Sequence, residues 1–438
     1  MSRFSARRPT ACLALILPLL VLSSCGGDNN GAIITVPNSV IVADLNGDGV
    51  VDVATVAAQI DETGLTQKPG LLGVVLNSKT TPGNFGLGNN YVTSPAPPSG
   101  LAVGDLSGTG THDLVVANLN AGTLSVFKET SPTSGTYAAA VTITVPGNPN
   151  DVQIADINGD GLPDLIVADN TGKVEYLLQN PTSPGTFQAA VTLPPITNAN
   201  IAAEGLTPRG ISVAVGDLNG DGFPDIAVTS FDVNGNWGQV TIYFQDPSHA
   251  GTYLATPTNI VALGEPSQIR IADVNQDGVN DIVVSCQGFG SDANPEADPS
   301  SVPYFESAYG AMIILQNSAS LGTFSSPIIY PSIPGAISLA IGDLNNDGLP
   351  DIAQTSLYQQ GTGEIATLNQ DPANPGTFLA GVSITGSGQP VSIAIGDLDH
   401  DGLPDLVVAD STSAVWFQNV TATPGSFVLG GQIGSFQQ

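Results

Sequence analysis

Short apolar and β-branched runs alternate with polar, glycine-rich loops along most of the chain. Around residue 220, the run "ISVAV" precedes the loop "GDLNGDGFPD", and the runs "DIAVTS" and "QVTIYFQ" follow it. A fourth run begins at "GTYLAT", Gly251 to Thr256. Because runs of this length and composition are typical of β-strands, the pattern predicts a unit of four short antiparallel strands.

Two phrases recur in strict alternation along the chain. A nine-residue acidic loop begins at Asp44, Asp105, Asp156, Asp217, Asp273, Asp343 and Asp397. A second phrase, the turn phrase, has the form Gly-Thr-Phe and ends at Phe85, Tyr137, Phe187, Tyr253, Phe324, Phe378 and Phe427. Seven of each, at a spacing of about 50 to 70 residues, indicate seven copies of one structural unit.

These units predict an all-β fold. Four short strands cannot bury both of their faces alone, so the units must stack on one another. A linear solenoid would need capping units at its ends, and neither terminus has the sequence of one. We therefore expect residues 32–438 to form a seven-bladed β-propeller of four-stranded antiparallel blades, with each acidic loop between the first and second strands.

The sequence leaves the closure of this ring open. The segment "AIITVP", Ala32 to Pro37, is similar to the fourth strand of an ordinary unit and could complete the last blade. The segment "SFVLGGQI" near the C-terminus competes for the same place.

The N-terminal residues 1–24 have the features of an export signal. Three arginines precede the apolar stretch Ala11 to Val21, which is too short to span a bilayer. The four residues "LSSC", ending at Cys25, resemble the lipobox of bacterial lipoproteins. The resemblance implies that Cys25 is lipidated and that residues 25–31 form a flexible tether. Glycine rather than aspartate after the cysteine, at Gly26, favours sorting to the outer over the inner membrane. An ordinary cleaved signal is the alternative.

The chain is strongly acidic. It has 9 basic and 39 acidic residues, a net charge of −30. Three of the basic residues lie in the leader, so six remain against 39 acids, a net charge of −33. Such a chain is repelled by nucleic acid and by anionic membrane surfaces, and we expect membrane contact only through the lipid anchor. Cys12 lies in the leader and Cys25 is the anchor, so Cys286 stands alone, and its thiol is expected to be a small buried apolar group.

The acidic loop has the chemistry of a calcium site. Side-chain oxygens at positions one, three, five and nine, with the backbone carbonyl at position seven, form a set of hard oxygen ligands. Glycine at position six allows the sharp turn. An EF-hand needs a glutamate at position twelve, where the loop at Asp217 has Val228 within a strand. The simpler alternative is a good turn sequence, which would not require acid at three positions six times over.

About six Ca²⁺ sites are therefore predicted. The expected ligands are Asp44, Asn46, Asp48, Val50 and Asp52; Asp156, Asn158, Asp160, Leu162 and Asp164; Asp217, Asn219, Asp221, Phe223 and Asp225; Asp273, Asn275, Asp277, Val279 and Asp281; Asp343, Asn345, Asp347, Leu349 and Asp351; and Asp397, Asp399, Asp401, Leu403 and Asp405. The copy at Asp105 has Ser107 and Thr109 at positions three and five, and we expect it to be weak or empty.

The two phrases together resemble FG-GAP and VCBS-type repeats, which form the seven-bladed propeller of integrin α-subunits and of many bacterial surface proteins. The resemblance covers nearly everything after Ala32. It implies calcium loops on a lower face that support the fold, and ligands met on the upper face. The family includes adhesins, lectin-like modules and some polysaccharide-cleaving enzymes, so it does not fix one activity.

The face opposite the calcium loops is expected to carry function, because its loops vary between copies. Long excursions occupy residues 58–70, 193–209, 231–238 and 286–310, the last with Phe289, Tyr304, Phe305 and Tyr309. Aromatic side chains in surface loops are natural contacts for sugars or protein patches, although they could also fold back onto the blades. We expect a module for adhesion or binding, with a polysaccharide or an envelope protein as partner.

An enzyme and a structural scaffold of an envelope complex are the alternatives. The histidines His112, His249 and His400 are all expected on the calcium face, away from the variable loops. Glu296 and Glu306 with Arg209 could serve a hydrolase or lyase, but nothing in the sequence brings them together. No catalytic grouping stands out, which favours a binding module.

Overall fold

A computed structural model of the protein describes residues 33–61, 67–197, 208–231, 238–262, 265–287, 310–356, 363–385, 388–410 and 413–434. These residues form seven antiparallel sheets of four strands each, within one compact unit, Ala32–Gln438. Among the described residues, no helix has the length and apolar character needed to cross a membrane.

Each sheet is built from four consecutive strands. The first blade contains β1 (Ile33–Ala43), β2 (Asp52–Asp61), β3 (Gln67–Val75) and β4 (Asn89–Val92). The second contains β5 (Pro98–Gly104), β6 (Asp113–Asn118), β7 (Thr123–Phe127) and β8 (Val141–Thr144). The third contains β9 (Pro149–Ala155), β10 (Asp164–Asp169), β11 (Val174–Leu177) and β12 (Val191–Thr192). The fourth contains β13 (Arg209–Gly216), β14 (Asp225–Phe231), β15 (Gly238–Tyr243) and β16 (Thr258–Ala262).

The remaining blades follow the same plan. The fifth contains β17 (Pro266–Ala272), β18 (Asp281–Cys286), β19 (Gly310–Ile314) and β20 (Ile328–Tyr330). The sixth contains β21 (Ala336–Gly342), β22 (Asp351–Ser356), β23 (Glu364–Leu368) and β24 (Val382–Ile384). The seventh contains β25 (Pro390–Gly396), β26 (Asp405–Asp410), β27 (Ala414–Asn419) and β28 (Phe427–Ile433). The predicted seven-bladed propeller of four-stranded antiparallel blades is confirmed.

Burial explains why these short strands are so apolar. The second strands β6, β10 and β26 are buried along their whole length, because neighbouring sheets pack against both of their faces. The fourth strands β4 and β8 are mostly exposed, as expected at the outer edge of a ring. Core clusters therefore lie between blades: Leu72 and Val74 of blade one pack with Leu114 and Val116 of blade two. The thiol of Cys286 is fully buried in β18, as expected for a small apolar residue.

The ring closes through side-chain packing, without exchange of a strand. The first strands of successive blades contact one another around the ring, and β25 of the last blade contacts β1. There, the Val40 amide donates to the Ser392 hydroxyl at 3.2 Å. The question of the termini is thereby settled. The segment "SFVLGGQI" supplies β28, the fourth strand of blade seven, whereas "AIITVP" supplies the beginning of β1.

The predicted start of the fourth strand at Gly251 is wrong. The strand β16 begins at Thr258, and the turn phrase before it makes one isolated bridge, between Tyr253 and Gln245. Gly251 has a left-handed backbone with φ of 77°, which no regular strand accommodates. Pro257 then lacks the amide that a ladder needs, so regular pairing begins only after it.

Several expectations fall on residues outside the described ranges. These are the signal at 1–24, the anchor Cys25 with its tether over 25–31, and most of the four excursions. The aromatic residues Phe289, Tyr304, Phe305 and Tyr309, with Glu296 and Glu306, belong to this group.

Candidate metal centres on one face of the ring

Each acidic loop folds its side chains inward. In blade four, the loop joins β13 to β14, and the Gly222 amide donates to Asp217 Oδ2 at 2.9 Å. The Asp221 amide donates to Asn219 Oδ1 at 2.9 Å, and the Phe223 amide to Asp221 Oδ1 at 2.9 Å. The oxygens of positions one, three and five are thus held against the same short turn. Val228 lies within β14, so the loop is not an EF-hand.

The aspartate at position nine is buried beneath the loop. In blade four, Asp225 Oδ2 accepts from the Leu218 amide and Oδ1 from the Gln245 amide, both at 2.8 Å. Burial raises the pKa of Asp225 to about 7, helped by the charges of Asp221 and Asp217 and opposed by the two amides. The same two amide bonds recur for Asp52, Asp164, Asp281, Asp351 and Asp405. Each carboxylate is therefore rigid and poorly solvated, a state that a bound cation would stabilise.

Blade seven brings three carboxylates closest together. Ligand oxygens of Asp397, Asp399 and Asp405 all lie within 4.8 Å of one another, the one such group of three among the described residues. Asp401 at position five accepts from the Leu403 amide through Oδ1 at 2.9 Å, as in blade four, and its Oδ2 accepts from the Thr421 hydroxyl at 2.6 Å. In the other acid-bearing loops, position three is asparagine, so fewer carboxylates are available there.

The degenerate loop of blade two replaces carboxylates by hydroxyl groups. The Ser107 hydroxyl lies 2.6 Å from that of Thr109 and 3.1 Å from that of Thr111. The Asp105 carboxylate accepts from the amides of Thr109 and Gly110, at 3.1 and 2.7 Å. The hydroxyls therefore bond to one another, and at position five the Thr109 hydroxyl stands where the other loops have a carboxylate.

The residue that joins the two repeated phrases was missed by the sequence reasoning. Gln245 lies two residues after the end of β15. It donates from Nε2 to the carbonyls of Pro224 and Ile157, both at 2.9 Å, and its Oε1 accepts from the Gly251 amide at 2.8 Å. It thus connects its own loop, its own turn phrase and the loop of the preceding blade. We call this position the latch.

The latch recurs in every blade. Its residues are Asn77, Glu129, Gln179, Gln245, Gln316, Gln370 and Asn419, each bonded to the glycine of its own turn phrase. In the degenerate blade the latch is Glu129, which accepts from the His112 amide at 2.8 Å. Each latch lies eight residues before the aromatic residue of its turn phrase, a spacing that could have been found in the sequence.

The turn phrase of each blade also packs against the loop of the preceding blade. A Cβ added to Gly251 would lie 2.8 Å from Cβ of Asn158, at position three of the blade-three loop. At the closure, a Cβ added to Gly83 of blade one would lie 3.5 Å from Cβ of Asp399 in blade seven. The loops and turn phrases therefore share one face, and position three lies at the boundary between blades.

The histidines lie on this same face, in three different loops. The His112 ring is 3.7 Å from the Glu129 carboxylate, and the His249 ring is 2.9 Å from Asp246 in an exposed turn. His400 occupies position four of the blade-seven loop. Arg209 begins β13, on the other face, and its proposed carboxylate partners lie outside the described residues.

The protein is therefore a β-propeller of seven repeated four-stranded blades, each with an oxygen-rich loop on the same face. The model of the FG-GAP-like repeat matches residues 105–167, 156–228, 217–284 and 356–408, more than half of the chain. The chain belongs to this family.

The wider comparisons support the fold alone. No curated protein sequence matches this chain. Its structure is similar to that of a provisionally assigned 6-phosphogluconolactonase from Bacteroides uniformis, with a TM-score of 0.54 and 13% identity over 86% of this chain and 95% of that one. A provisionally assigned 6-phosphogluconolactonase from Bacteroides fragilis has a TM-score of 0.51 and 12% identity over 92% and 95%.

Proposed function

We propose that this protein is an exported, lipid-anchored binding module. Calcium stabilises its ring, and it recognises a polysaccharide or an envelope protein through the face opposite the acidic loops. The observation that carries the proposal is the difference between the two faces. One face repeats a single arrangement of loop, latch and turn phrase, whereas the other is built from connections of very different length.

The donor set of the acidic loops fits calcium. All side-chain donors are oxygens, and positions one, three, five and nine with the carbonyl of position seven would hold the ion. The latch and the turn phrase fix the loop to two blades at once, so an ion bound there would hold neighbouring blades together. Bound calcium would also offset the repulsion between carboxylates that are crowded into one turn.

The opposite face can vary without disturbing this arrangement. Only four residues join β10 at Asp169 to β11 at Val174, whereas β18 ends at Cys286 and β19 begins at Gly310. Connections on a rigid scaffold tolerate such insertions, and binding residues are commonly found on them.

Retention on natural surfaces tests the binding function. The chain from Gly26 onward contains the whole compact unit, and it would be incubated in millimolar calcium with polysaccharides and with whole cell envelopes. We expect retention without release of soluble fragments. Release of fragments would instead support an enzyme, and absence of retention would support a scaffold.

Chelation tests the role of calcium. Binding to the folded state alone contributes about 2.7 kcal/mol per site when free calcium is about 100 times Kd. With about six sites, excess chelator should lower the melting temperature by tens of degrees. An unchanged melting temperature would overturn this part of the proposal.

Labelling tests the anchor. Cells that express the full chain should incorporate radioactive palmitate into the protein, and the Cys25→Ala variant should not be labelled. Equal labelling of both proteins would overturn the lipid anchor, and the location of the labelled protein after membrane fractionation would test the outer membrane.

A further inference from the structure

A cavity of about 500 Å³ lies on the face opposite the acidic loops, at the boundary between blades one and two. One wall is the link from β4 to β5, residues 93–97. The other walls are the turn at Asn120 and Ala121, the start of β7 at Thr123, and Thr142 of β8. The volume falls in the range of small-ligand sites and suffices for one or two sugar units.

The lining is polar and uncharged. Hydroxyl groups come from Ser94, Thr123 and Thr142, and Asn120 contributes a side-chain amide. The other lining residues are proline and alanine, and none of the lining residues is acidic or basic. In a chain that carries 39 acidic residues, this is an unusual stretch of surface. An anionic ligand would find no cation here, whereas a neutral polyhydroxylated ligand would find donors, acceptors and apolar carbon.

The walls are held in place from behind. Asn118 is fully buried, and its Nδ2 donates to Thr123 Oγ1 at 3.2 Å and to Ser125 Oγ at 3.0 Å. Ser125 Oγ donates in turn to the Thr93 carbonyl at 3.1 Å. The Thr123 hydroxyl accepts from Asn118 and so keeps its own proton available to a ligand. This network fixes both sides of the cavity, so little order is lost on binding.

Polar side chains at the cavity are available to a ligand. Asn120 has a left-handed backbone with φ of 64°, which asparagine adopts more readily than most residues, and its exposed side chain makes no described hydrogen bond. Thr142 on β8 is also exposed. The Thr93 hydroxyl is buried against Gly70 and does not take part. An amide and a hydroxyl that are accessible at a concave surface suit a sugar ligand.

We propose that this cavity binds a neutral sugar unit of a glycan, through the hydroxyls of Ser94, Thr123 and Thr142 and the amide of Asn120. The inference rests on the proposed binding function and narrows it to one site and to uncharged saccharides. The matching position in blade six is Ser383: it pairs with Ala366 as Thr142 pairs with Ser125, and both side chains are exposed.

Calorimetric titration tests the inference. The chain from Gly26 onward, in millimolar calcium, would be titrated with hexasaccharides of β-1,4-glucose, β-1,4-xylose, β-1,4-mannose and α-1,4-glucose, and with hexagalacturonate as a charged counterpart. We expect at least one neutral hexasaccharide to bind more tightly than hexagalacturonate. The Thr142→Tyr side chain would fill the cavity and should raise the Kd of that neutral hexasaccharide at least about tenfold. Asn120→Gly, which keeps the left-handed backbone, should raise Kd about fivefold, the loss of one hydrogen bond.

Ser383→Tyr is the matched control and should leave Kd unchanged. Binding of a neutral hexasaccharide that is equal in the wild type, Thr142→Tyr and Asn120→Gly would overturn the cavity as the site, while the binding function would stand. If hexagalacturonate bound more tightly than every neutral hexasaccharide, the assignment of a neutral sugar as ligand would be wrong. The same would follow if no neutral hexasaccharide bound to a protein that is still retained on cell envelopes. Failure of retention on every surface would instead count against the proposed function itself.

Discussion

The side-chain amide of Asn77 in blade one donates a 2.7 Å hydrogen bond to the carbonyl oxygen of Leu398 in blade seven. Many propellers close by pairing strands from the two ends of the chain, but here every blade is made from consecutive strands. The closure therefore depends on packing between blades, as of Val53 and Val75 against Trp416, and on this latch. Gln245 and Asn419 donate in the same way to carbonyls of the preceding blade, at Ile157 and Leu344, whereas Asn77 makes this contact across the two ends of the ring.

Replacing Asn77 with alanine should loosen this closure. The side chain is 4% exposed, and its loss would leave the carbonyls of Leu398 and Val51 without their donor and the Gly83 amide without its acceptor. Because each buried polar group without a partner costs about 1–3 kcal/mol, we expect the free energy of unfolding to fall by at least about 3 kcal/mol. Urea unfolding in millimolar calcium would measure the change.

Asn84→Ala is the control for this experiment. Asn84 lies in the same turn, but its side chain is exposed and donates one bond, to the Thr81 carbonyl at 3.2 Å. Its loss should change stability by less than about 0.5 kcal/mol. Equal midpoints for the Asn77 and Asn84 variants would show that the latch does not stabilise the closure.

The number and type of blades could be predicted from the sequence because each blade carries both phrases. In blade four, one face carries the acidic loop, Asp217 to Asp225, and the turn phrase that ends at Tyr253. Because the chain repeats this pair seven times, seven blades could be predicted. The sequence could not show whether the segment at Ala32 or the one at Phe427 supplies the fourth strand of the last blade. Both have the composition of a strand, and ring closure depends on contacts between residues far apart in the chain.

The latch was missed for a different physical reason. A glutamine after a strand, such as Gln245, resembles an ordinary exposed polar residue when it is considered alone. Its role depends on three partners that lie in two blades, at Pro224, Ile157 and Gly251. Only the fixed spacing to the turn phrase, compared across all seven units, would have indicated it. The opposite face was the least predictable, because its connections share no repeated pattern.

Two matched substitutions at position five should separate calcium binding from loop stability. Asp221 and Thr109 occupy this position in blades four and two, and both are exposed. Asp221→Ala should remove one site, with about 2.7 kcal/mol of stabilisation when free calcium is about 100 times Kd. The rise in melting temperature on adding calcium should therefore shrink by a few degrees.

Thr109→Ala should leave the calcium-dependent rise unchanged, because the hydroxyl loop is expected to hold little or no calcium. Calorimetric scans of both variants, each with calcium and with chelator, give the comparison. If the two variants lost the same calcium-dependent rise, the distinction between acid-bearing and hydroxyl loops would be wrong.

Glycine in the turn phrase should be required for packing between blades as well as for its backbone. Gly251 has φ of 77°, and an added Cβ would lie 2.8 Å from Asn158 of the preceding blade. Gly110 has a similar φ of 75°, but open space surrounds its added Cβ. Gly110→Ala should therefore show the backbone strain alone, about 1–2 kcal/mol, and Gly251→Ala should cost about 2 kcal/mol more.

Chemical denaturation of both glycine variants would measure this difference. If the free energy of unfolding fell by a similar amount in both variants, the backbone conformation alone would explain why glycine recurs in the turn phrases of this chain. A larger loss for Gly251→Ala would assign the remainder to the contact with Asn158.

A buried carboxyl pair in blade three should make stability depend on pH. Glu175 on β11 is fully buried beside Asp169 at the end of β10, and neither oxygen of Glu175 has a hydrogen-bond partner among the described residues. Burial, followed by the charge of Asp169, raises the pKa of Glu175 from 4.5 to about 8, with Lys173 acting in the opposite direction. The folded state therefore prefers the protonated acid, whereas the unfolded state loses this proton near pH 4.5.

The sign of the effect follows from this preference. Stability from protonated Glu175 is fully present below about pH 4.5 and is lost as pH rises towards about 8. Glu175→Gln carries no titrating proton, so the unfolding free energy of the wild type should fall relative to that of the variant. The expected slope is about 1.4 kcal/mol for each pH unit between these limits. Urea unfolding from pH 5 to pH 9 in millimolar calcium would measure it.

The difference between the two proteins isolates Glu175, because the aspartates at position nine titrate in both of them. Glu364→Gln provides the matched control, since Glu364 is exposed at the start of β23 and should show no pH-dependent difference from the wild type. Parallel curves for the wild type and Glu175→Gln would mean that Glu175 is ionised in the folded protein throughout this range. In that case a bound cation or a rearranged hairpin at 169–174 would have to stabilise the two charges.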